Sequence, residues 1–363
     1  MLNEQEKEMK NDLWLAVLHN DEKKVTALIS KGAPLNEKFL NGLNVLELAI
    51  SQGYLGVAKS LIKAGTDLNI QDDKGRTALH IAVLNKSYDG VKTLIEAGAD
   101  LNLTDAFGNT PLLSAISEAS CVPGIGTELI EAGADLNIQN QRGETALMNA
   151  IRIGGEVHPQ ELIEAGADVN IQDNEGRTAL IWAGYYGKSE LIEKLVDAGA
   201  KLDVVCSDFS RTALMFAIEN HQKKAALKFI EKGCALDIQD KKGWSALHYA
   251  VIKGQQEVSN ALIKQKADLN LVDEKGWTAL MFSVCFGVKA ISQKLIQAGA
   301  DVVKKSKEGK DAYNLAMERG HHDVAKMIKE AIKELLKVKK VASHQGAKKT
   351  CLKVQKNDTT HIK

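Results

Sequence analysis

The stretch from Asp72 to Thr104, DDKGRTALHIAVLNKSYDGVKTLIEAGADLNLT, contains one complete structural unit. Gly75 can adopt the positive φ of a tight turn, where a Cβ atom would clash. Thr77 can cap a helix by accepting an amide hydrogen bond. That helix has small and apolar faces formed by Ala78, Leu79, Ile81, Ala82 and Val83. The first part of the unit therefore predicts a turn followed by a helix.

The second part of the unit predicts another helix. Val91, Leu94 and Ile95 have the i, i+3, i+4 spacing of an amphipathic helix, and Gly98 is suited to the left-handed residue that ends one. A single helix pair of this size cannot bury its own apolar face, so we expect each unit to stack on its neighbours.

The turn glycines recur along the chain at steps of 33 to 35 residues. One set is Gly42, Gly75, Gly108, Gly143, Gly176, Gly243, Gly276 and Gly309, with Ser210 in one place of the series. The second set is Gly32, Gly65, Gly98, Gly133, Gly166, Gly199, Gly233 and Gly299, with Lys266 as the exception. A fixed period near 33 is typical of a solenoid.

A short motif opens the first helix of each unit. It reads TALHIA at 77–82, TPLLSA at 110–115, TALMNA at 145–150, TALIWA at 178–183, TALMFA at 212–217, SALHYA at 245–250 and TALMFS at 278–283, with a weaker copy, NVLELA, at 44–49. The motif resembles the TPLHxA motif of ankyrin repeats. The resemblance implies an all-α solenoid of stacked helix pairs with β-turn hairpin loops, which binds protein partners in a concave groove.

This pattern divides the chain into three parts. We predict a charged lead-in at 1–10, an ankyrin-repeat domain at 11–336 and a basic, disordered tail at 337–363. The repeat units lie near 11–38, 39–71, 72–104, 105–139, 140–172, 173–206, 207–239, 240–272, 273–305 and 306–336.

Three units depart from the regular period. Two extra residues fall near Ser120–Gly126, and one falls near Cys206–Phe209. Gly154, Gly155 and Pro159 stand where a second helix would begin, so we expect that helix to be short. These departures are either tolerated drift or loops that shape a binding face.

Several classes of function are disfavoured by composition and motifs. The 47 basic and 47 acidic residues give no net charge, which argues against a nucleic-acid-binding protein as a whole. The five cysteines form no CxxC pair, and Gly187-Lys188-Ser189 lacks the earlier glycine of a phosphate loop. His80 and His248 stand at a motif position that also accepts methionine and isoleucine, which indicates a packing or local hydrogen-bonding role. We therefore expect no catalysis, no cofactor, no metal and no small-molecule substrate.

Aromatic residues indicate where a partner would bind. Residues 173–288 hold 11 of the 17 aromatic residues in the chain. The residues expected to face solvent and bind a protein partner are Tyr185, Tyr186, Phe209, Trp244, Trp277 and Phe286. The alternative is that some of them pack between hairpins. For Trp244 and Trp277 the sequence favours neither partner binding nor packing over the other. Trp182, Phe216, Tyr249 and Phe282 are expected to be half-buried.

The ends of the chain bear on localisation. The polar N-terminus resembles no secretory signal, and no run of apolar residues is long enough to span a membrane, which predicts a cytoplasmic protein. Residues 337–363 contain eight lysines and one acid, so an adaptor tethered to acidic membrane or to nucleic acid is an alternative function. The family resemblance also allows a host-directed bacterial effector, exported to a host cell without a classical signal peptide.

Overall fold

The computed structural model describes residues 3–117, 124–154 and 159–337. Helices dominate these ranges, and no β-strand occurs within them. The chain divides into two compact units, Met1–Asp208 and Phe209–Lys363. The division falls at the position where one extra residue interrupts the period of the repeats.

The unit Met1–Asp208 contains twelve helices in its described part. They are α1 (Glu4–Leu18), α2 (Glu22–Ser30), α3 (Val45–Ser51), α4 (Leu55–Lys63), α5 (Ala78–Leu84), α6 (Tyr88–Glu96), α7 (Pro111–Ser117), α8 (Ile125–Glu131), α9 (Ala146–Ile153), α10 (Pro159–Glu164), α11 (Ala179–Tyr186) and α12 (Ser189–Asp197). A 3-10 turn at Leu40–Gly42 precedes α3. Helix α1 begins inside the segment predicted as a charged lead-in.

The unit Phe209–Lys363 continues the pattern of helix pairs. Its described helices are α13 (Ala213–Glu219), α14 (Lys223–Glu231), α15 (Ala246–Ile252), α16 (Gln256–Lys264), α17 (Ala279–Cys285), α18 (Lys289–Gln297), α19 (Ala312–Glu318) and α20 over residues 322–337. The predicted all-α solenoid fold is confirmed by these helix pairs. Residues 338–363, which make up nearly all of the predicted tail, lie outside the described residues.

Each first helix starts as the sequence predicts. Thr77 is the N-cap of α5, and its Oγ1 accepts from the amide of His80 at 3.4 Å. Gly75 has a φ of 72° in the preceding turn, and Gly98 has a φ of 83° after α6. The cap satisfies an amide that the helix itself cannot pair, and the glycine provides backbone that other residues adopt at a cost.

The helices stack in two layers within each unit. In the first unit α3, α5, α7, α9 and α11 pack in succession, and α2, α4, α6 and α8 form the second layer. In the second unit α13, α15, α17 and α19 form one layer, and α14, α16 and α18 form the other. The core lies between the layers, where Leu79, Leu94 and Tyr249 are among the fully buried side chains.

Two exceptions to the glycine pattern keep its backbone conformation. Ser210 has a φ of 55° and Lys266 a φ of 64°, although neither is glycine. A residue with a Cβ in this region costs about 1 kcal/mol or more. The repeat geometry therefore fixes the backbone even where the sequence does not favour it.

The structure describes only part of the two irregular segments near residues 120–126 and 154–159. The expected short helix stays a prediction, because α10 begins directly after residues 155–158, which lie outside the described residues. Gly155 and residues 120–123 of the predicted insertion lie outside the described residues. Gly124 caps α8 with a φ of 96°.

Candidate functional site

Six of the hairpins are organised by one acidic or amide side chain, at positions 72, 105, 140, 173, 240 and 273. Oδ1 of Asp173 accepts from the amides of Glu175 and Arg177 at 3.0 and 2.8 Å. Asp273 does the same for the amides of Lys275 and Trp277 at 2.9 and 2.8 Å. These bonds fix the turn, and they hold the residues that flank its glycine at the surface.

Successive hairpins are joined by backbone hydrogen bonds. In the first unit the amide of Ala106 donates to the carbonyl of Lys74 at 2.8 Å, and that of Gln141 donates to Phe107 at 3.0 Å. In the second unit the amide of Glu274 donates to the carbonyl of Lys242 at 3.1 Å. The hairpins of each unit are thus a connected scaffold for the side chains that project from them.

Three aromatic side chains form a cluster at the end of α11, which we call the tyrosine cluster (Trp182, Tyr185, Tyr186). The rings of Trp182 and Tyr186 stack at 5.9 Å, and those of Tyr185 and Tyr186 meet edge to face at 5.0 Å. Tyr185 is 38% exposed and Tyr186 37%. The guanidinium of Arg177 lies 4.9 Å from the Trp182 ring. The cluster combines a buried base with two exposed phenol rings.

The expected half-burial was wrong for Trp182, Phe216 and Tyr249, which are all buried. Trp182 Nε1 donates to Oδ2 of Asp173 at 3.2 Å, and the Tyr249 hydroxyl donates to Oδ2 of Asp240 at 2.7 Å. A partner for the polar tip permits burial of the whole ring. Phe216, also buried, has no polar tip to satisfy. Phe282 occupies the equivalent position and is half-buried, as expected.

A second aromatic group lies in the unit Phe209–Lys363, and we call it the tryptophan pocket (Trp244, Trp277, Phe282, Phe286). The Phe282 ring lies 5.8 Å from Trp244, 5.1 Å from Trp277 and 6.4 Å from Phe286. Phe286 is 57% exposed, and Trp244 and Trp277 are half-buried. The tryptophans therefore pack against Phe282 and also line a cavity of about 550 Å³.

Phe209 stands apart from the tryptophan pocket. Its ring is 47% exposed, and the guanidinium of Arg211 lies 4.7 Å from its centre. Arg211 also forms an ion pair with Glu219 and lies 5.3 Å from the Tyr249 ring. Burial raises the pKa of Tyr249, and its hydrogen bond to Asp240 raises it further. Phe209 is thus fixed to a buried polar network by its contact with Arg211.

The motif histidines have the local structural role that the sequence indicates. His80 Nδ1 accepts from the amide of Thr77 at 3.2 Å, and Nε2 lies 3.0 Å from the carbonyl oxygen of Asn109. His248 makes the same contacts with Ser245 and Trp277. Burial lowers the pKa of both rings, which favours the neutral form. Each histidine therefore links a helix cap to the next hairpin.

Residues 3–117, 124–154 and 159–337 contain no group of three His, Cys, Asp or Glu side chains placed to hold a metal ion. Among those described residues, no helix is both long and apolar enough to cross a bilayer.

Two features escaped the sequence reasoning. Phe107, at a hairpin tip outside the aromatic-rich segment, is 66% exposed. A polar ladder also connects the repeats. Oδ1 of Asn102 accepts from the amide of Asp135 at 2.8 Å, while Oδ1 of Asp100 accepts from the amide of Asn102 at 2.8 Å. The recurring Ala-Asp-Leu-Asn sequence is the signal that could have predicted this ladder.

Comparisons with known proteins agree with the helix-pair architecture. A family model described as ankyrin repeats (3 copies) matches residues 13–105, 112–206, 185–273 and 259–340. A search of curated proteins found no match.

Proposed function

Because the chain belongs to the ankyrin-repeat family, we propose that it is a non-catalytic adaptor that binds a protein partner, mainly through repeats 6–9. Ankyrin repeats are generally protein–protein interaction modules, and the family is typically non-catalytic. The proposed binding residues are Tyr185, Tyr186, Phe209, Trp244, Trp277 and Phe286.

The observation that carries this proposal is the exposure of large aromatic rings on rigid elements. Tyr185 and Tyr186 end α11 in the first unit, and Phe286 caps α17 in the second. Between 37% and 57% of each of these side chains is exposed. Exposed apolar groups that lie together mark interaction surfaces, whereas apolar side chains scattered singly are ordinary.

Ring-to-ring contacts make these residues effective anchors. Tyr185 and Tyr186 are held edge to face, and Phe286 is stacked on Phe282. A side chain that is already restrained loses less conformational entropy when a partner covers it. Aromatic residues also contribute much of the binding energy of protein interfaces. A typical interface buries about 800 Å² of accessible surface on each partner.

Affinity capture with the full chain tests the proposal. The double variant Tyr185→Ala/Phe286→Ala removes one exposed ring from each unit, and we expect it to lose most of the partner captured by the unsubstituted protein. Phe107→Ala removes an equally large exposed ring outside repeats 6–9 and should retain the partner. Circular dichroism should show equal helix content for all three proteins. Equal capture by the double variant would exclude the aromatic surfaces as the binding site.

A further inference from the structure

We infer that the tryptophan pocket binds one large apolar side chain of a partner segment whose neighbouring residues are acidic. This inference rests on the proposed function, since it specifies the chemistry of the partner at one of its two aromatic surfaces. All the residues that carry it belong to the unit Phe209–Lys363.

The base of the pocket is apolar and pre-formed. Trp244 and Phe282 meet nearly perpendicularly at 78°, and Trp277 is tilted by 53° to Phe282. Phe286 stacks on Phe282 at 13° and forms the exposed wall. The cavity of about 550 Å³ lies in the range of ligand pockets, so a leucine, phenylalanine or tryptophan side chain fits inside it.

The hydrogen-bond partner of the Asp273 side chain explains why the tryptophan pocket is open. In the equivalent repeats the polar tips of Trp182 and Tyr249 bind the aspartate of their own hairpin. Phe282 has no polar tip, and Oδ2 of Asp273 accepts from Trp244 Nε1 at 3.4 Å instead. The hydrogen bond holds the Trp244 ring at the pocket wall.

The rim of the pocket is basic. Lys242, Lys275 and Arg319 line the cavity, and all three are exposed. The Lys242 ammonium lies 5.2 Å from the Trp244 ring. Among the described residues, no carboxylate forms an ion pair with any of the three cations.

Two carboxylates also line the cavity. Asp273 is buried and accepts the three hydrogen bonds from Lys275, Trp277 and Trp244. Glu274 is exposed. Three exposed cations therefore face one exposed anion around an apolar base. This charge pattern attracts a segment that carries acidic residues beside its apolar anchor.

The same features disfavour two other occupants. A cationic side chain would enter past three positive charges, so the aromatic base does not suit a lysine or arginine ligand. Single-stranded nucleic acid needs flat ring faces on which successive bases stack. Here the tryptophans meet Phe282 at angles of 78° and 53°, so the pocket does not offer parallel ring faces to successive bases.

Fluorescence anisotropy with the full chain tests the inference. The probe is a short fluorescein-labelled peptide with one phenylalanine between flanking glutamates. Two matched peptides carry serine in place of the phenylalanine or lysines in place of the glutamates. A labelled deoxythymidine oligonucleotide is the third comparison probe. We expect the acidic phenylalanine peptide to bind at least about tenfold more tightly than each of the other probes at physiological salt.

Charge-reversal variants locate the binding. Lys275→Glu/Arg319→Glu alters only exposed side chains at the rim and should weaken the acidic peptide at least about tenfold. Lys264→Glu, at the end of α16, is the control for an added negative charge and should bind as the unsubstituted chain does. Thermal melts should show that all three proteins fold alike.

Cys285 provides an independent reporter, because it lines the cavity and is half-buried while Cys206 and Cys234 are buried. In a chain with Cys121→Ser and Cys351→Ser, the acidic peptide should slow alkylation of Cys285. Peptide binding with an unchanged alkylation rate would place the site elsewhere.

Preferred binding of the lysine peptide would overturn the inference, as would no binding by any probe, or preferred binding of the oligonucleotide that Lys275→Glu/Arg319→Glu weakens. These failures are distinct from failure of the proposed function. If affinity capture depends on Tyr185 and Phe286 while every acidic peptide fails to bind, the adaptor function stands and the assigned partner chemistry is wrong.

Discussion

Glu47 and His80 occupy the same motif position in successive repeats, 33 residues apart, and respond to pH in opposite directions. Glu47 is fully buried, and its Oε2 accepts from the amide of Asn44 at 2.7 Å. Burial raises the pKa of Glu47 to about 7, although the hydrogen bond from Asn44 lowers it and the nearby Asp72 raises it. Burial lowers the pKa of His80.

The Glu47 carboxyl should make the protein less stable as pH rises. Between pH 4.5 and about 7 the folded chain keeps a proton that the unfolded chain has lost, so stability falls through this window. At about 1.4 kcal/mol per pKa unit the loss is on the order of 3 kcal/mol. Glu47→Gln keeps an acceptor for Asn44 without a charge. We expect the variant to gain stability over the unsubstituted chain as pH rises, measured by urea denaturation.

Comparing the free energies of unfolding of the two proteins at each pH cancels the contribution of His80. The fold favours the neutral form of this ring, so its contribution to stability is lost as pH falls below about 6.5. Glu96→Gln, at an exposed position of α6, controls for the loss of one negative charge. A stability difference that is the same at every pH would show that folding does not shift the pKa of Glu47.

At the scale of a structural element, the two glycines of a repeat differ in what surrounds them. A Cβ on Gly75 would lie 2.9 Å from the amide nitrogen of Ala106, in the next hairpin. A Cβ on Gly98 would meet no atom within 4 Å. Both residues have positive φ, 72° and 83°. Gly75 therefore allows close approach of two hairpins, whereas Gly98 only ends a helix.

Alanine at these two positions separates the effects. Gly98→Ala should cost about 1 kcal/mol, the penalty of a left-handed alanine. Gly75→Ala should cost at least about 1 kcal/mol more, because its methyl group displaces the backbone of the next hairpin. Urea denaturation measures the difference, and faster hydrogen exchange at Ala106 should accompany Gly75→Ala alone. Equal destabilisation by both variants would contradict the hairpin clash.

The residues that act locally were predictable from the sequence. The cap at Thr77 and the turn at Gly75 follow from side-chain chemistry within a few neighbours. The burial of Trp182 was not predictable in this way, because its partner Asp173 lies nine residues earlier and only the folded hairpin brings the two together. The same limit left Trp244 undecided, since Asp273 comes from the following repeat.

At the scale of the whole molecule, charge is unevenly distributed along a chain that is neutral overall. Residues 337–363 carry eight lysines and one acid, about +7, so the preceding residues sum to about −7. A basic segment of this composition would associate with acidic membranes or with nucleic acid in a salt-dependent manner. The tethering role of the tail stays a prediction from the sequence.

Truncation after Lys337 tests this role. The truncated chain lacks residues 338–363, which hold seven of the eight lysines of the tail. We expect it to bind vesicles containing phosphatidylserine, or polyuridylate, more weakly than the full chain at low salt. High salt should abolish the difference, because exposed charges are screened. Equal binding by both chains at low salt would eliminate the tether.

The backbone hydrogen bonds between hairpins also determine which deletions or duplications in the gene leave the hairpins correctly paired. Excision of residues 74–106 would join Asp73 to Phe107 and leave one hairpin made from the halves of two. Asp105 accepts from the amides of Phe107 and Asn109, and Asp72 could take over both bonds. Asp73 would still donate to Asn41, and Phe107 would still accept from Gln141. A loss or gain of these 33 codons, one whole repeat, is thus locally silent here, whereas a change by part of a repeat breaks the register of the bonds across the junction.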